Sequence, residues 1–215
     1  MRVDIWSDIV CPWCYIGKHE FELGLGAFER RADIEVLHHA FELDPSFPSG
    51  PGTPVLELLA GKYGMTQEQA RDAERRVAAR AQAVGLSLHP GRVMGNTFDA
   101  HRLVALGRDR GQQAEVLQRL YEAYFWQGRG IGERGVLAEA GAAAGLELAE
   151  VERVLAGDEY AAAVRADERQ AQAYGISGVP FFVLDDRYGV SGAQHAATFT
   201  AVLAEAWSGR PATAP

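Results

Sequence analysis

Apolar and polar positions alternate over residues 2–6 (Arg-Val-Asp-Ile-Trp), the period of a short strand. Beyond it Pro12 stands where the first position of a helix tolerates a missing N–H. Ile16, Phe21, Leu25 and Phe28 follow at broadly helical spacing. Residues 33–41 read as a second strand, and four prolines with two glycines make 44–54 a loop. From about residue 55 to 175 the pattern is helical almost throughout. Thr66 followed by Gln69 is a capping-box signature. Asn96 or Thr97 is placed to cap the next helix, on which Leu103, Val104 and Leu106 share a face. Further helices are predicted over 112–126, 133–144 and 147–156. Asp158 is expected to cap one that stops near Tyr174, with Gly175 ending it. Strand character returns at 180–185, Asp186-Arg187 makes a turn, and 188–190 supply a partner strand. Residues 194–207 form a last amphipathic helix, and the Pro- and Ala-rich tail 208–215 is expected to be disordered.

The order is therefore β-α-β, a helical insertion of roughly 100 residues, then β-β-α, an α/β chain with a large all-α insertion. The boundaries predicted are 1–62 and 158–207 for the α/β parts, with 63–157 inserted between them. At 215 residues and 47% hydrophobic, the chain is long enough to hold a core without a metal or disulfide staple. Its formal charge of −8 argues against nucleic acid or an anionic membrane surface as a partner. It has no stretch of about 20 apolar residues to span a membrane. Nor does an apolar signal-like segment open the chain, so the expected compartment is the reducing cytoplasm.

The two cysteines change the picture most. They form one motif, Cys11-Pro12-Trp13-Cys14, at a strand–helix junction. As a staple, a loop of about four residues contributes roughly 2 kcal/mol before strain, and in a reducing cytosol even that is usually absent. With Cys11 at the N-cap and Pro12 at the first helical position, the Cys11 sulfur faces the free amides of the first turn. The positive end of the helix dipole favours thiolate there. Thiolate is the attacking species in disulfide exchange. Cys14, one turn on and better shielded, is placed to resolve a mixed disulfide. Zinc would need two more ligands, and the six histidines offer neither a second cysteine pair nor an H-x3–5-H spacing. His38 and His39, adjacent on a strand, point to opposite faces. No metal or resident cofactor is expected. Two inert buried cysteines, or a vestigial site that only binds ligands, are the bland alternatives. Pro180, after Gly175-Ile176-Ser177-Gly178-Val179, reads from the residues alone as a strand-opening proline.

Three stretches carry a resemblance: residues 7–18, residues 96–103 and residues 175–182. In this order and over nearly the whole chain, they resemble the DsbA family of thiol–disulfide oxidoreductases, most closely its signal-less, cytoplasmic FrnE-type branch. The resemblance implies a thioredoxin-like fold carrying the helical insertion, with Cys11 as nucleophile and Cys14 as resolving thiol. It implies a cis Val179–Pro180 peptide against Cys11, with both residues binding substrate by short-strand pairing. It puts Asn96, Phe98 and His101 over the active-site face, where they are expected to line the substrate cleft. Trp13 is also taken as substrate-binding, and Trp6, Trp13 and Tyr15 as part of an apolar rim, with a place in the core as the equal alternative for Trp6. The partners expected are proteins or small molecules bearing a thiol or disulfide, with glutathione a candidate substrate or reductant. The same superfamily includes glutathione-dependent isomerases and kappa-type glutathione transferases, which resemble this chain in the middle motif but carry serine at the nucleophile position. The strongly oxidising members have Pro-His between the cysteines. Pro12-Trp13 places no cation beside the sulfur, so a less oxidising couple is expected here.

Overall fold

A computed structural model describes residues 1–50 and 52–210. The chain opens with β1 (Arg2–Ser7), α1 (Pro12–Gly26), a 3-10 turn at Arg31–Asp33 and β2 (Glu35–Ala40). After a long middle section it closes with β5 (Phe181–Leu184), β6 (Tyr188–Ser191) and α9 (Ala196–Ser208). These strands make one sheet in the order β2-β1-β5-β6. β1 runs parallel to β2, with Val3 opposite Val36, and antiparallel to β5, with Ile5 opposite Phe182. The period-2 pattern of residues 2–6 sorts side chains between two faces. Val3 and Ile5 pack with Phe21, Phe28, Phe182, Phe199 and Leu203 beneath α1 and α9. The rings of Phe182 and Phe199 meet at 4.6 Å. The two helices approach closely because position 24 is glycine: a Cβ there would lie 2.6 Å from the Ala196 carbonyl oxygen.

The middle section holds α2 (Val55–Tyr63), α3 (Gln67–Gln82), α4 (Phe98–Asp109), α5 (Gln113–Tyr121), α6 (Arg134–Ala143), α7 (Leu148–Ala156) and α8 (Ala161–Ala173). The capping box at Thr66 is formed in both directions: its Oγ1 accepts from the Gln69 amide at 3.2 Å, and Gln69 Oε1 accepts from the Thr66 amide at 2.8 Å. Gly175, at φ +70°, follows the last turn of α8, and the Ile176 amide bonds back to the Ala171 carbonyl. Leu103, Leu106, Val116, Leu117, Leu120 and Phe125 form the core of this region, and Cys11 and Cys14 belong to that same cluster. Arg102, buried on α4, donates to the carbonyls of Val154, Gly157 and Glu159 and pairs with Asp99, so one guanidinium clasps the end of α7.

Four local expectations are corrected. A two-residue antiparallel pair, β3 (Thr53–Pro54) with β4 (Val93–Met94), interrupts the helices. Two residues are too few to show alternation, and the pairing spans about 40 residues. Gly52, at φ +76°, lets this pair close, since a Cβ there would sit 2.3 Å from the Met94 carbonyl oxygen. The helix expected over 112–126 leaves the α geometry at Glu122 and continues to Trp126 as a π-helical segment. Asp158 does not cap α8; its carbonyl accepts from the Ala161 amide in a turn, and Tyr160 occupies the N-cap. Ser208 still belongs to α9, and Arg210 pairs with Asp185 at 3.0 Å, so those residues are not a loose tail. Residues 211–215 of the expected tail lie outside the described residues. Among the described residues no helix is long and apolar enough to cross a membrane.

Candidate active site

β1 ends at Ser7, and the chain turns through Asp8 to place Cys11 at the N-cap of α1, in extended geometry (φ −82°, ψ 113°), with Pro12 at the first helical position. The amides of Cys14 and Tyr15 bond to the Cys11 carbonyl at 3.0 and 3.2 Å. Both cysteines are free thiols. The Cys11 sulfur makes no capping bond to the first turn. It is turned instead toward Val179, donating to that carbonyl at 3.7 Å. Cys14 lies behind it, 1% exposed against 4% for Cys11, and its sulfur accepts from the Asp8 amide at 3.5 Å. Burial above all, then the neighbouring Cys11 sulfur, pushes the Cys14 thiol well up. Cys14 thus stays protonated until something draws its proton away.

The Val179–Pro180 peptide is cis. Pro180 rests on α1 where position 17 is glycine; a Cβ at Gly17 would come within 2.7 Å of the Pro180 Cγ. The Pro180 carbonyl is held by the Gly192 amide at 2.8 Å. Val179 and its carbonyl are therefore fixed from two sides while facing Cys11.

Beneath the cysteines lies a polar group that reading the residues did not single out. Asp8 is buried, with one carboxylate oxygen 3.2 Å from Nε2 of His101 and the other accepting from the Leu43 amide at 2.8 Å. The only sequence signal was its place in the stretch 7–18, three residues before Cys11. Tyr121, from the helical region, is buried here too, and its hydroxyl makes no hydrogen bond. Burial, then the negative charge that Cys14 would carry, holds that phenol well above its ordinary value.

A cavity of about 420 Å³ opens beside Cys11, walled by Trp13, Val179, Leu58, Met65 and Val77. Trp13 is 43% exposed and covers one side of the mouth. Of the residues expected to bind substrate, Trp13 and Val179 meet Cys11 at this cavity, and Pro180 lies next in the chain. Asn96, Phe98 and His101 do not line it. Asn96 is occupied in holding the start of α4, donating to the Phe47 carbonyl and accepting from the Phe98 amide. Phe98 lies under the Arg165 guanidinium, 4.2 Å from its ring centroid. His101 is buried against Asp8. Asn96 and Phe98 are half-buried at the start of α4, and only His101 of the three is buried in the interior.

The apolar rim is corrected at Tyr15, and Trp6 takes the core position that was its alternative. Trp6 is fully buried on the opposite face of the sheet, stacked on His39 at 4.5 Å, with its indole N–H on the Asp167 carbonyl at 3.0 Å. Tyr15 is buried flat against Phe125, ring centroids 4.7 Å apart. A second cavity of about 430 Å³ lies at the β2 edge, lined by Lys18, Val36, His38 and Gln113. It is as large as the first but holds neither thiol, so size alone does not select the site.

Comparison with known proteins adds the following. The model of the DSBA-like thioredoxin domain matches residues 2–204. The crystal structure of a probable DsbA oxidoreductase from Streptomyces coelicolor is 48% identical, with TM-score 0.95 over 100% of this chain and 93% of that one. The cytosolic disulfide reductase DsbM from Pseudomonas aeruginosa, solved with GSH, is 20% identical with TM-score 0.66, covering 97% of this chain and all of that one; it is a likeness of fold. The uncharacterized protein YwbO of Bacillus subtilis is 26% identical over 187 residues, 86% of this chain and 88% of that protein.

Proposed function

The chain belongs to the DSBA-like thioredoxin domain family, and from that premise we propose that it is a thiol–disulfide oxidoreductase in which Cys11 is the nucleophile and Cys14 the resolving thiol. One observation carries the reading. The sulfur at the N-cap of α1 faces the Val179 carbonyl at the mouth of a cavity, with a second sulfur held behind it.

In the reducing direction, the Cys11 thiolate attacks one sulfur of a substrate disulfide. The substrate S–S bond breaks, and its electron pair leaves with the second sulfur, which takes up a proton. Cys14 then loses its proton and attacks the Cys11 sulfur. The Cys11–substrate bond breaks, the substrate departs as a thiol, and a Cys11–Cys14 disulfide remains. Run backwards, the same steps oxidise a dithiol. The Val179 backbone, which in the free protein accepts from Cys11, is the edge on which an incoming chain would pair as a strand. The buried Cys14 thiol waits until the mixed disulfide forms, because burial holds its proton in place.

Assignment to the FrnE-type branch and a cytoplasmic location are part of the same proposal; the branch rests on the stretches 7–18, 96–103 and 175–182, and the location is in keeping with the likeness to a cytosolic disulfide reductase. Glutathione disulfide is the first small substrate to assay, with no resident cofactor required. Turnover with a disulfide and a reductant is expected to fall to background in Cys11→Ser. Cys14→Ser is expected to accumulate the mixed disulfide on Cys11, visible by intact mass. A glutathione-dependent isomerase would instead tolerate Cys14→Ser nearly unharmed, and a pure binding protein would show no turnover at all. Wild-type turnover in Cys11→Ser overturns the assignment.

A further inference from the structure

Pro180 holds Val179 from one side. On the other side the chain runs back through Ile176 to the end of α8, and the Ile176 amide is bonded to the Ala171 carbonyl of that helix at 2.9 Å. Where α8 stands on the sheet therefore bears on where the Val179 carbonyl stands. Asp167 of α8 makes three bonds to the sheet. One carboxylate oxygen lies 2.8 Å from Nδ1 of His39, the other accepts from the Ala40 amide at 3.0 Å, and the Asp167 carbonyl accepts from the Trp6 indole at 3.0 Å. Trp6, stacked on His39, shares a buried cluster with Ala171, Ile176 and Val183, and Val179 packs against that cluster.

His39 is buried on β2, and its Nε2 lies 2.7 Å from Asp4. Both ring nitrogens thus face carboxylate oxygens, which only accept, whereas a neutral imidazole has a single N–H to give. The arrangement requires the imidazolium. Arg2 donates to Asp4 at 2.7 Å and keeps that carboxylate ionised. Behind it Arg2 also reaches Asp186, which takes the Tyr174 hydroxyl at 2.8 Å, and Tyr174 stands edge-on to Trp6. β5 sets apolar Val183 opposite Asp4. His38, next on β2, stays neutral down to about 3, chiefly through burial. Burial opposes a charge on His39 too, but the bonds to Asp167 and Asp4 outweigh it, and the ring titrates above the ordinary histidine value. Once a proton leaves, one carboxylate faces a bare ring nitrogen. Asp4 and His39 belong to strands joined by a hydrogen-bonded ladder, whereas Asp167 belongs to a separate helix. The strain falls on α8.

We propose that doubly protonated His39 is a positioning residue for disulfide exchange: by clamping Asp167 it seats α8, and through α8 it sets the Val179 edge on which an extended substrate pairs. This rests on the oxidoreductase reading and adds a control to it. Capture of an extended peptide disulfide weakens as pH rises and the clamp opens, while a compact disulfide that needs no strand pairing is spared.

Every thiol gains thiolate as pH rises, so the experiment compares two probes on one sulfur. It uses full-length Cys14→Ser and follows the mixed disulfide on Cys11 by intact mass from about pH 5.5 to 9. One probe is 2-hydroxyethyl disulfide. The other is the disulfide dimer of an acetylated, amidated serine–alanine peptide of about six residues with one cysteine, which carries no group titrating in that range. The peptide-to-compact rate ratio is expected to fall about fivefold with rising pH, the worth of one strand hydrogen bond. Adding His39→Gln is expected to hold the ratio low at every pH. Adding Asp167→Asn is expected to move the midpoint to lower pH, because a carboxylate that favours the imidazolium is gone; a merely structural role would lower the ratio without moving the midpoint. Circular dichroism checks folding throughout, and the profile without these second substitutions stands by itself should either variant not fold. A ratio that is flat or rises with pH, a pH step that survives in folded His39→Gln, or an Asp167→Asn midpoint that stays or rises would each overturn the clamp. Failure of both probes to modify Cys11 would instead count against the oxidoreductase reading.

Discussion

The sheet region and the helical region divide the work at Cys11 and Cys14 unequally. The sheet region supplies the frame: β1 leads into the turn, α1 carries both cysteines, and the start of β5 brings Val179 opposite Cys11. The helical region supplies the surroundings. His101, Tyr121 and Tyr124 come from α4, α5 and the π-helical segment, and the cysteines pack in that region's core and not in the core under α9. Reactivity at a thiol depends on both parts, since position sets what it can reach and surroundings set whether it ionises. A similar frame with a different helical layer would keep the geometry and change the chemistry.

The division is open to experiment, beginning with paired cavities. Leu120→Ala and Leu203→Ala each remove a fully buried leucine, one from each core, and each is expected to cost about 2–5 kcal/mol in urea unfolding. Only Leu120→Ala is expected to speed modification of Cys14 by a thiol reagent under native conditions. Equal protection of Cys14 in both variants would break the comparison. A smaller effect is expected from Gly17→Ala. Its new Cβ would collide with Pro180, at a cost of about 1–3 kcal/mol for overpacking. Because Pro180 carries Val179, disulfide turnover is expected to fall further in this variant than in Gly26→Ala, where a Cβ meets open space.

The smallest effect concerns β2, whose neighbouring histidines titrate in opposite directions. Burial, then the charges of Lys18 and His39, lowers His38 to about 3. The unfolded chain therefore binds this proton first, and the stability His38 confers is lost as pH falls from about 6.5 toward 3. Burial also works against protonated His39, but its bonds to Asp167 at 2.8 Å and Asp4 at 2.7 Å outweigh it and raise its pKa. Its contribution is complete below about 6.5 and is lost as pH rises through the folded value. Urea midpoints at pH 5 and pH 7 are expected to separate His38→Gln from His39→Gln by an amount of order 1 kcal/mol, with opposite signs.

Much of the frame was legible because it is local. Alternation over residues 2–6, Pro12 at a helix start, the box of Thr66 and Gln69, and the glycine stop at Gly175 each act within a few residues, and each is present. The failures share a different cause. Asp158 was read as a cap from its type, although backbone turn geometry had already taken that place. Trp6 stays open between rim and core in the sequence, because an aromatic at the end of a strand says nothing of which layer will cover it, and α8 covers it. Asn96, Phe98 and His101 were correctly placed at a helix start, but the direction their side chains face was set by contacts with Phe47, Arg165 and Asp8.

The amino-acid order by itself determined that two thiols would stand one turn apart at the start of a helix, because strand period, proline and helix geometry are short-range. Only the tertiary structure decided that the first sulfur turns to a carbonyl 168 residues away and that the second is sealed in the core of the helical region. The period of a helix shows that a face is buried. What it is buried against follows from how distant layers pack, and that depends on the whole chain at once.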